Sequence, residues 1–219
     1  MTIRQMNFAD IDQIAREAGP FDFVLADLGV SSMQIDNPER GFTYKKEGPL
    51  DLRLNPQKGV SAAERLKEVT EEELAGMLWE NSDEPYAEEI AATVMEKLRK
   101  GEPVETTIQL QKAIEEALSF LPEREQKEAV KKSCQRTFQA LRIDVNSEFE
   151  VLYAFMEKLP AALAPGGRVA ILTFHSGEDR IVKKAFKRAE ASRNLQRDRS
   201  GCHPSFSGGV YKEQPRSFY

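Results

Sequence analysis

The chain has 219 residues, 40% of them apolar and 31% charged, which is the composition of a soluble globular protein with room for one domain or one domain carrying an inserted subdomain. A formal net charge of −5 excludes an overall basic nucleic-acid binder, though not a local basic face. No apolar run approaches the roughly 20 residues of a membrane span, the polar N-terminus is no signal peptide, and the scattered Cys134, Cys202, His175 and His203 form no zinc spacing, so a cytoplasmic protein with reduced thiols is expected.

Residues 7–18 place Phe8, Ile11, Ile14 and Ala15 on one helical face, and Gly19-Pro20 stops that helix. The apolar run "FDFVLADLG" (21–29) follows as a short strand, and its continuity predicts a parallel-sheet strand covered on both faces. "NPERGFTYKKEGPLDLRLNP" (37–56) is a long connection without periodicity, and such loops are usually functional or disordered. From Ser61 to about Cys134 the pattern is helical throughout. "SAAE" (61–64) and "TEEE" (70–73) read as capping boxes, "PYAEEIAATVMEKLRKG" (85–101) runs from Pro to Gly, and "TIQLQKAIEEALSFLP" (107–122) stops at Pro122. "RTFQALRIDVNSEFEVLYAFMEKLPAAL" (136–163) predicts one long helix, and "APGGRVAILTFHS" (164–176) a turn and a second buried strand. "EDRIVKKAFKRA" (178–189) is again helical, with Glu178 and Asp179 in the first turn, where the helix dipole favours them. The expected division is therefore 1–56 for the first part of a sheet domain, 57–135 for a helical insertion, 136–191 for the second part, and 192–219 for an irregular tail.

Two strand ends carry candidate chemistry, Asp27 after "FVLA" and His175 after "VAILTF". Ligands of open parallel sheets sit beyond the carboxyl ends of strands, so both stand where a site would be. The plainer alternatives are an Asx-turn or helix cap for Asp27 and a satisfied, partly buried histidine for His175. The chemically capable loop after Asp27 favours function. His175, Ser176 and Asp179 lack a nucleophile elbow, and Gly166-Gly167 is no phosphate loop. Asp36, Glu39, Glu47 and Asp51 could be metal ligands, yet such irregular spacing more often means a solvated loop, and no metal is expected. Between Lys183 and Arg199, seven basic residues face two acidic ones, a contrast that suggests phosphate-backbone contact by Lys183, Lys184, Lys187 and Arg188 among them.

Four blocks, "LADLGVSSMQIDNPERGFTYKKEGPLDLRLNP", "SAAERL", "RTFQALRIDVNSE" and "APGGRVAILTFHSGEDRIVK", together resemble the bacterial ribosomal RNA small-subunit methyltransferase H family. The resemblance spans roughly residues 1–190. It implies transfer of a methyl group from S-adenosyl-L-methionine to N4 of a cytosine in the decoding region of 16S rRNA. It also implies an α/β fold, here an incomplete Rossmann-like class I methyltransferase sheet with an inserted all-helical subdomain. Phe8, Asp27 and Gln34 match positions that contact the cofactor in that family. The family's preceding Gly-rich cofactor turn has no counterpart, since Gly19 is the only glycine before Gly29. The chain thus reads as the later part of such an enzyme. On its own it is expected to bind S-adenosylmethionine negligibly, to methylate no rRNA, and to self-associate through an open sheet.

Methyl transfer depends chiefly on positioning, and acceptors aimed at the N4–H bonds would localise the weakly nucleophilic lone pair. Asp27, Ser31, Ser32 and His175 are the candidates, with the base unstacked into the pocket. Arg136, Arg142 and Asn146 either orient the loop or the RNA, or brace the helical block. The alternatives are a catalytically inactive RNA-binding remnant and a methyltransferase acting on another substrate. For DNA an Asn/Asp-Pro-Pro-aromatic run is expected after the strand, and "DLGVSS" is not one. The partners expected are 16S rRNA within the small ribosomal subunit, and no membrane.

Overall fold

The computed structural model describes the backbone of residues 1–200 and side chains through residue 191. The chain divides into two compact units, Met1–Gly29 with Phe149–Tyr219, and Val30–Glu148.

The first unit is built on a parallel strand pair. A 3₁₀ turn at Phe8–Asp10 leads into helix α1 (Ile11–Ala18), which ends at Gly19 with a positive φ of 89° that suits glycine. Strand β1 (Phe21–Asp27) then pairs in parallel with β2 (Leu163–Leu172), in a register that sets Phe23 against Arg168 and Asp27 against Leu172. Pro165-Gly166-Gly167, expected as a turn, lies inside β2 at a register shift. A Cβ on Gly167 would meet the Phe21 carbonyl oxygen at 2.8 Å, so only glycine lets the two backbones approach there.

Helices α8 (Glu148–Ala162) and α9 (Ser176–Ser200) supply the cover. Leu152, Phe155, Leu159, Ile181 and Val182 are buried against Val24, Ala26, Val169 and Ile171. Fully burying one such side chain contributes about 1.5–3 kcal/mol. The alternate residues of β1 face outward, with Phe23 58% and Leu25 60% exposed. The strand expected to be covered on both faces is therefore covered on one. An unbroken apolar run does not reveal which of its two faces finds a partner.

The second unit contains no strand among the described residues, only an isolated bridge between Pro49 and Thr106. Its helices are α2 (Ser32–Asp36), α3 (Ala62–Glu68), α4 (Glu71–Ser82), α5 (Ala87–Arg99), α6 (Thr107–Ala117) and α7 (Glu123–Asn146). The expected capping boxes at Ser61 and Thr70 form, and so do two unanticipated ones, Ser31 with Gln34 and Thr106 with Gln109. The helix expected over 136–163 is two helices. It breaks at Ser147, whose left-handed φ of 48° ends α7. Helix α7 also runs straight through the boundary expected at 135/136, so that segment packs with the helical unit. So does the connection 37–56, because Leu50 and Leu52 are each 1% exposed in the core of this unit.

At the other end, α9 continues to Ser200, which corrects the irregular tail expected from Ser192 for its first residues. Residues 201–219, with Cys202 and His203, lie outside the described residues, as do the side chains of Arg193, Arg197 and Arg199. No helix among the described residues is long and apolar enough to cross a membrane.

Exposed apolar residues on a two-stranded sheet favour association. The 219-residue chain is expected to self-associate, and Phe23→Thr with Leu25→Thr should lower its light-scattering mass while changing stability by only about 0.5 kcal/mol each, as is usual for exposed sites. An unchanged mass distribution in the double variant would show that this face is not where the chain associates.

Candidate active site

The register of the strand pair brings two sequence-predicted residues to one edge. Asp27 ends β1 opposite Leu172, the last residue of β2, and His175 follows three positions later. The Leu28 N–H donates to the Leu172 carbonyl at 3.2 Å, extending the pairing past Asp27. At Gly29, with φ 88°, the space a Cβ would occupy lies 3.5 Å from the Phe174 ring, so the segments leaving the two strands run side by side.

Asp27 is exposed, and its carboxylate makes no hydrogen bond among the described residues. An Asx-turn or cap would require one, so the plainer reading of Asp27 is not realised. His175 is only 11% exposed at its side chain and stacks obliquely on Phe149, with ring centroids 5.9 Å apart. Its Nε2 lies 3.3 Å from Glu178 Oε1, within ion-pair range, yet neither ring nitrogen has a hydrogen-bond partner of good geometry. The partly buried histidine is thus realised, with Glu178 as its neighbour but no hydrogen bond of good geometry.

Glu178 is the residue the sequence reading undervalued. It stands in the first turn of α9 as the dipole favours, but it is 4% exposed, and its Oε2 accepts the Phe174 N–H at 2.8 Å. It thereby holds the segment bearing His175 onto the helix. Gly177 belongs to the same arrangement, because a Cβ there would come within 2.5 Å of the Phe149 ring and 3.2 Å of His175. The pattern His-x-x-Glu at a strand-to-helix junction was the available signal.

Phe8 also lies in this unit, 44% exposed, with its ring edge-on to Phe155 at 5.3 Å. Ser31, Ser32 and Gln34 belong to the second unit. Ser31 and Gln34 are joined to each other, with the Gln34 Oε1 accepting the Ser31 N–H at 2.9 Å and its hydroxyl at 3.2 Å. Both thus serve the N-terminus of α2. Ser32, its first residue, is exposed.

The loop 37–56 is ordered by its own side chains and by α7. Asp51 receives Arg53 through two nitrogens at 2.9 and 2.6 Å, and although burial raises its carboxyl, the Arg53 hydrogen bonds outweigh that and hold it below the usual range. Arg40 donates to the carbonyls of Arg53 and Leu54 at 2.7 and 3.0 Å. Asn146 closes the clasp: its amide nitrogen donates to the Leu52 carbonyl at 2.8 Å, and its oxygen accepts the Leu54 N–H at 2.6 Å. Leu52 needs that support, since it sits at a φ of 62° without being glycine. Of the other two helix residues, Arg142 is a bracing residue, paired through two nitrogens with Glu148 at 2.8 and 3.0 Å. Arg136 makes no ion pair or side-chain hydrogen bond among the described residues.

Past His175, α9 presents Lys184, Lys187 and Arg188 to solvent, and they border one shallow depression together with Ser176, Arg180 and Lys183. Lys183 is half spent, for its ammonium lies 2.5 Å from Asp179.

A family model described as the MraW methylase family matches residues 1–205. Ribosomal RNA small subunit methyltransferase H 1 of Lachnoclostridium phytofermentans is 66% identical over 212 residues, which are 97% of this chain and 56% of that protein. The protein of the same name from Agathobacter rectalis is 67% identical over 187 residues, 85% of this chain and 54% of the relative. Ribosomal RNA small subunit methyltransferase H of Thioalkalivibrio sulfidiphilus is 47% identical over 177 residues, 80% of this chain and 54% of the relative. The chain thus spans about half the length of the curated relatives it matches.

The different bonding of Asp27 and Asn146 separates site from scaffold. Asp27→Asn is expected to leave the melting temperature unchanged. Asn146→Ala leaves two loop backbone groups without partners and should cost about 1–3 kcal/mol, with faster amide exchange at Leu54. A comparable loss of stability in Asp27→Asn would assign Asp27 to the fold instead.

Proposed function

The chain belongs to the MraW methylase family, and from that premise we propose that it carries the acceptor side of a site for S-adenosylmethionine-dependent methylation of small-subunit ribosomal RNA. The base is a cytosine of the decoding region, the atom its exocyclic N4, and the compartment the cytoplasm. The observation that carries this reading is Asp27, an exposed, unpaired carboxylate at the carboxyl edge of a parallel strand pair, with His175 fixed on the neighbouring strand end.

That edge suits both reactants. The cofactor supplies an electrophilic methyl group on a positively charged sulfur. An unpaired carboxylate matches a cation, and the exposed Phe174 ring, which lies against Gly29 two residues beyond Asp27, matches an aromatic base. Phe8, Asp27 and Gln34 are the residues proposed to hold it.

The N4 lone pair is delocalised into the pyrimidine ring and is a weak nucleophile. Asp27 accepts one N4–H, which localises the lone pair and compensates the positive charge that develops as the new N–C bond forms and the S–C bond breaks. The departing proton passes to the exposed Asp27, and His175, whose ring nitrogens are buried beside Glu178, is the second proposed acceptor behind it. Ser31 and Ser32, at the start of α2, are the further acceptors proposed for the base. A cytosine stacked in RNA cannot reach such an edge, so the base must be flipped out, and phosphate contacts must hold its flanks. Lys184, Lys187 and Arg188, beginning nine residues beyond His175, provide positive charge for that purpose.

RNA binding is measurable without methyl transfer. With a decoding-region RNA hairpin, the chain should bind with a strong salt dependence. Charge reversal at Lys184, Lys187 and Arg188 should reduce the slope of log affinity against log salt by about 1 for each lost contact. An unchanged slope would return these residues to a solvated helix face. Binding that survives while Asp27→Asn leaves methylation intact in a methylating relative would favour an RNA-binding module over the enzyme.

A further inference from the structure

The helical unit carries a groove unrelated to the strand edge. Glu72, Gly76 and Trp79 of α4 border it on one helical stripe, and Glu84, Glu88 and Glu89 border it from the α4–α5 turn and the start of α5. Helix dipoles account for part of this, since Glu72, Glu88 and Glu89 all lie in first turns. They do not account for three other features. Trp79 is 60% exposed on a helix whose neighbouring apolar residues are buried. Gly76 sits inside that helix, at a cost of about 1 kcal/mol relative to alanine, although a Cβ there would meet nothing within 4 Å. Packing therefore does not demand the glycine, and open space above it does benefit.

The third feature is Glu84, which is fully buried at 0% exposure. Its Oε1 accepts the Ser133 hydroxyl at 2.8 Å and the Tyr86 N–H at 3.1 Å, while Oε2 has no hydrogen-bond partner. A buried acceptor without a donor is destabilising, and a donor arriving through the groove would offset that.

We propose that this groove binds an arginine side chain from a basic segment of a partner protein. The guanidinium is planar, stacks on an indole face, and carries forked N–H donors that can reach one carboxylate while others flank it. Trp79 supplies the face, Glu84 the unsatisfied acceptor, and Glu72, Glu88 and Glu89 the surrounding negative charge. None of those three carboxylates has an ion-pair partner among the described residues. The groove's volume of about 730 Å³ admits such a side chain with part of its backbone. Nucleic acid is repelled by the same charges, so the groove and the basic face of α9 take partners of opposite sign.

Trp79 is the single tryptophan of the chain, so its fluorescence reads the groove directly. Titration with a short oligo-arginine peptide should give a saturable change, and an oligo-lysine peptide of equal charge a weaker one. Glu88→Gln with Glu89→Gln, both exposed, should weaken arginine-peptide affinity about tenfold, whereas Glu123→Gln with Glu125→Gln, an equal charge loss on α7, should change it by about twofold or less. Equal weakening by the two pairs would mean that net charge alone is responsible and would overturn the proposal. So would the absence of a saturable response at millimolar peptide, or an equal response to an RNA oligonucleotide.

Discussion

The candidate site rests on one parallel pairing, β1 with β2, formed between segments separated by the whole helical unit in sequence. Closing so long a loop costs entropy that grows only slowly with length, but two paired strands alone are marginal in water. Leu152, Phe155, Ile181 and Val182, packed on one face, make the pairing stable. Register is the critical variable. A slip of one residue would turn Val24 and Ala26 outward and Phe23 and Leu25 inward, and would move Asp27 away from Leu172. Gly167 guards against the slip at the other end, because any larger residue would collide with the Phe21 carbonyl.

What the sequence made legible follows from which interactions are local. Both strands, their parallel orientation and the helical character of 61–134 were readable because periodicity, capping boxes and Gly or Pro stops act over a few residues. The break at Ser147 was not, since Ser-Glu inside an amphipathic run carries no stop signal, and a left-handed serine is imposed by what surrounds it. The open face of β1 was not legible either, as both faces of the strand are apolar. The loop 37–56 looked unstructured because its order comes from Asn146, more than ninety residues away in sequence. The positions of Asp27 and His175 were legible from strand ends alone. Their bonding was not: the free carboxylate of Asp27 and the fastening of the His175 segment by Glu178 are facts of geometry.

Charge is sorted by place on a chain whose net charge is only −5. The solvent-facing side of α9 is basic and the α4–α5 groove is acidic, while ion pairs such as Lys183 with Asp179 and Arg53 with Asp51 are local to one helix or one turn. Exposed local pairs contribute little to stability. The two patches carry opposite signs, so the RNA and the basic segment proposed above would be drawn to different surfaces.

On the proposed function, the carboxyl edge of the strand pair meets the RNA base. Amide NMR of the chain on addition of a decoding-region hairpin tests it most directly. The largest shifts should fall at Asp27–Gly29 and Phe174–Gly177, with a second set along Lys184–Arg188. Shifts confined to residues 71–89, or the absence of any at the strand ends when α9 responds, would contradict it.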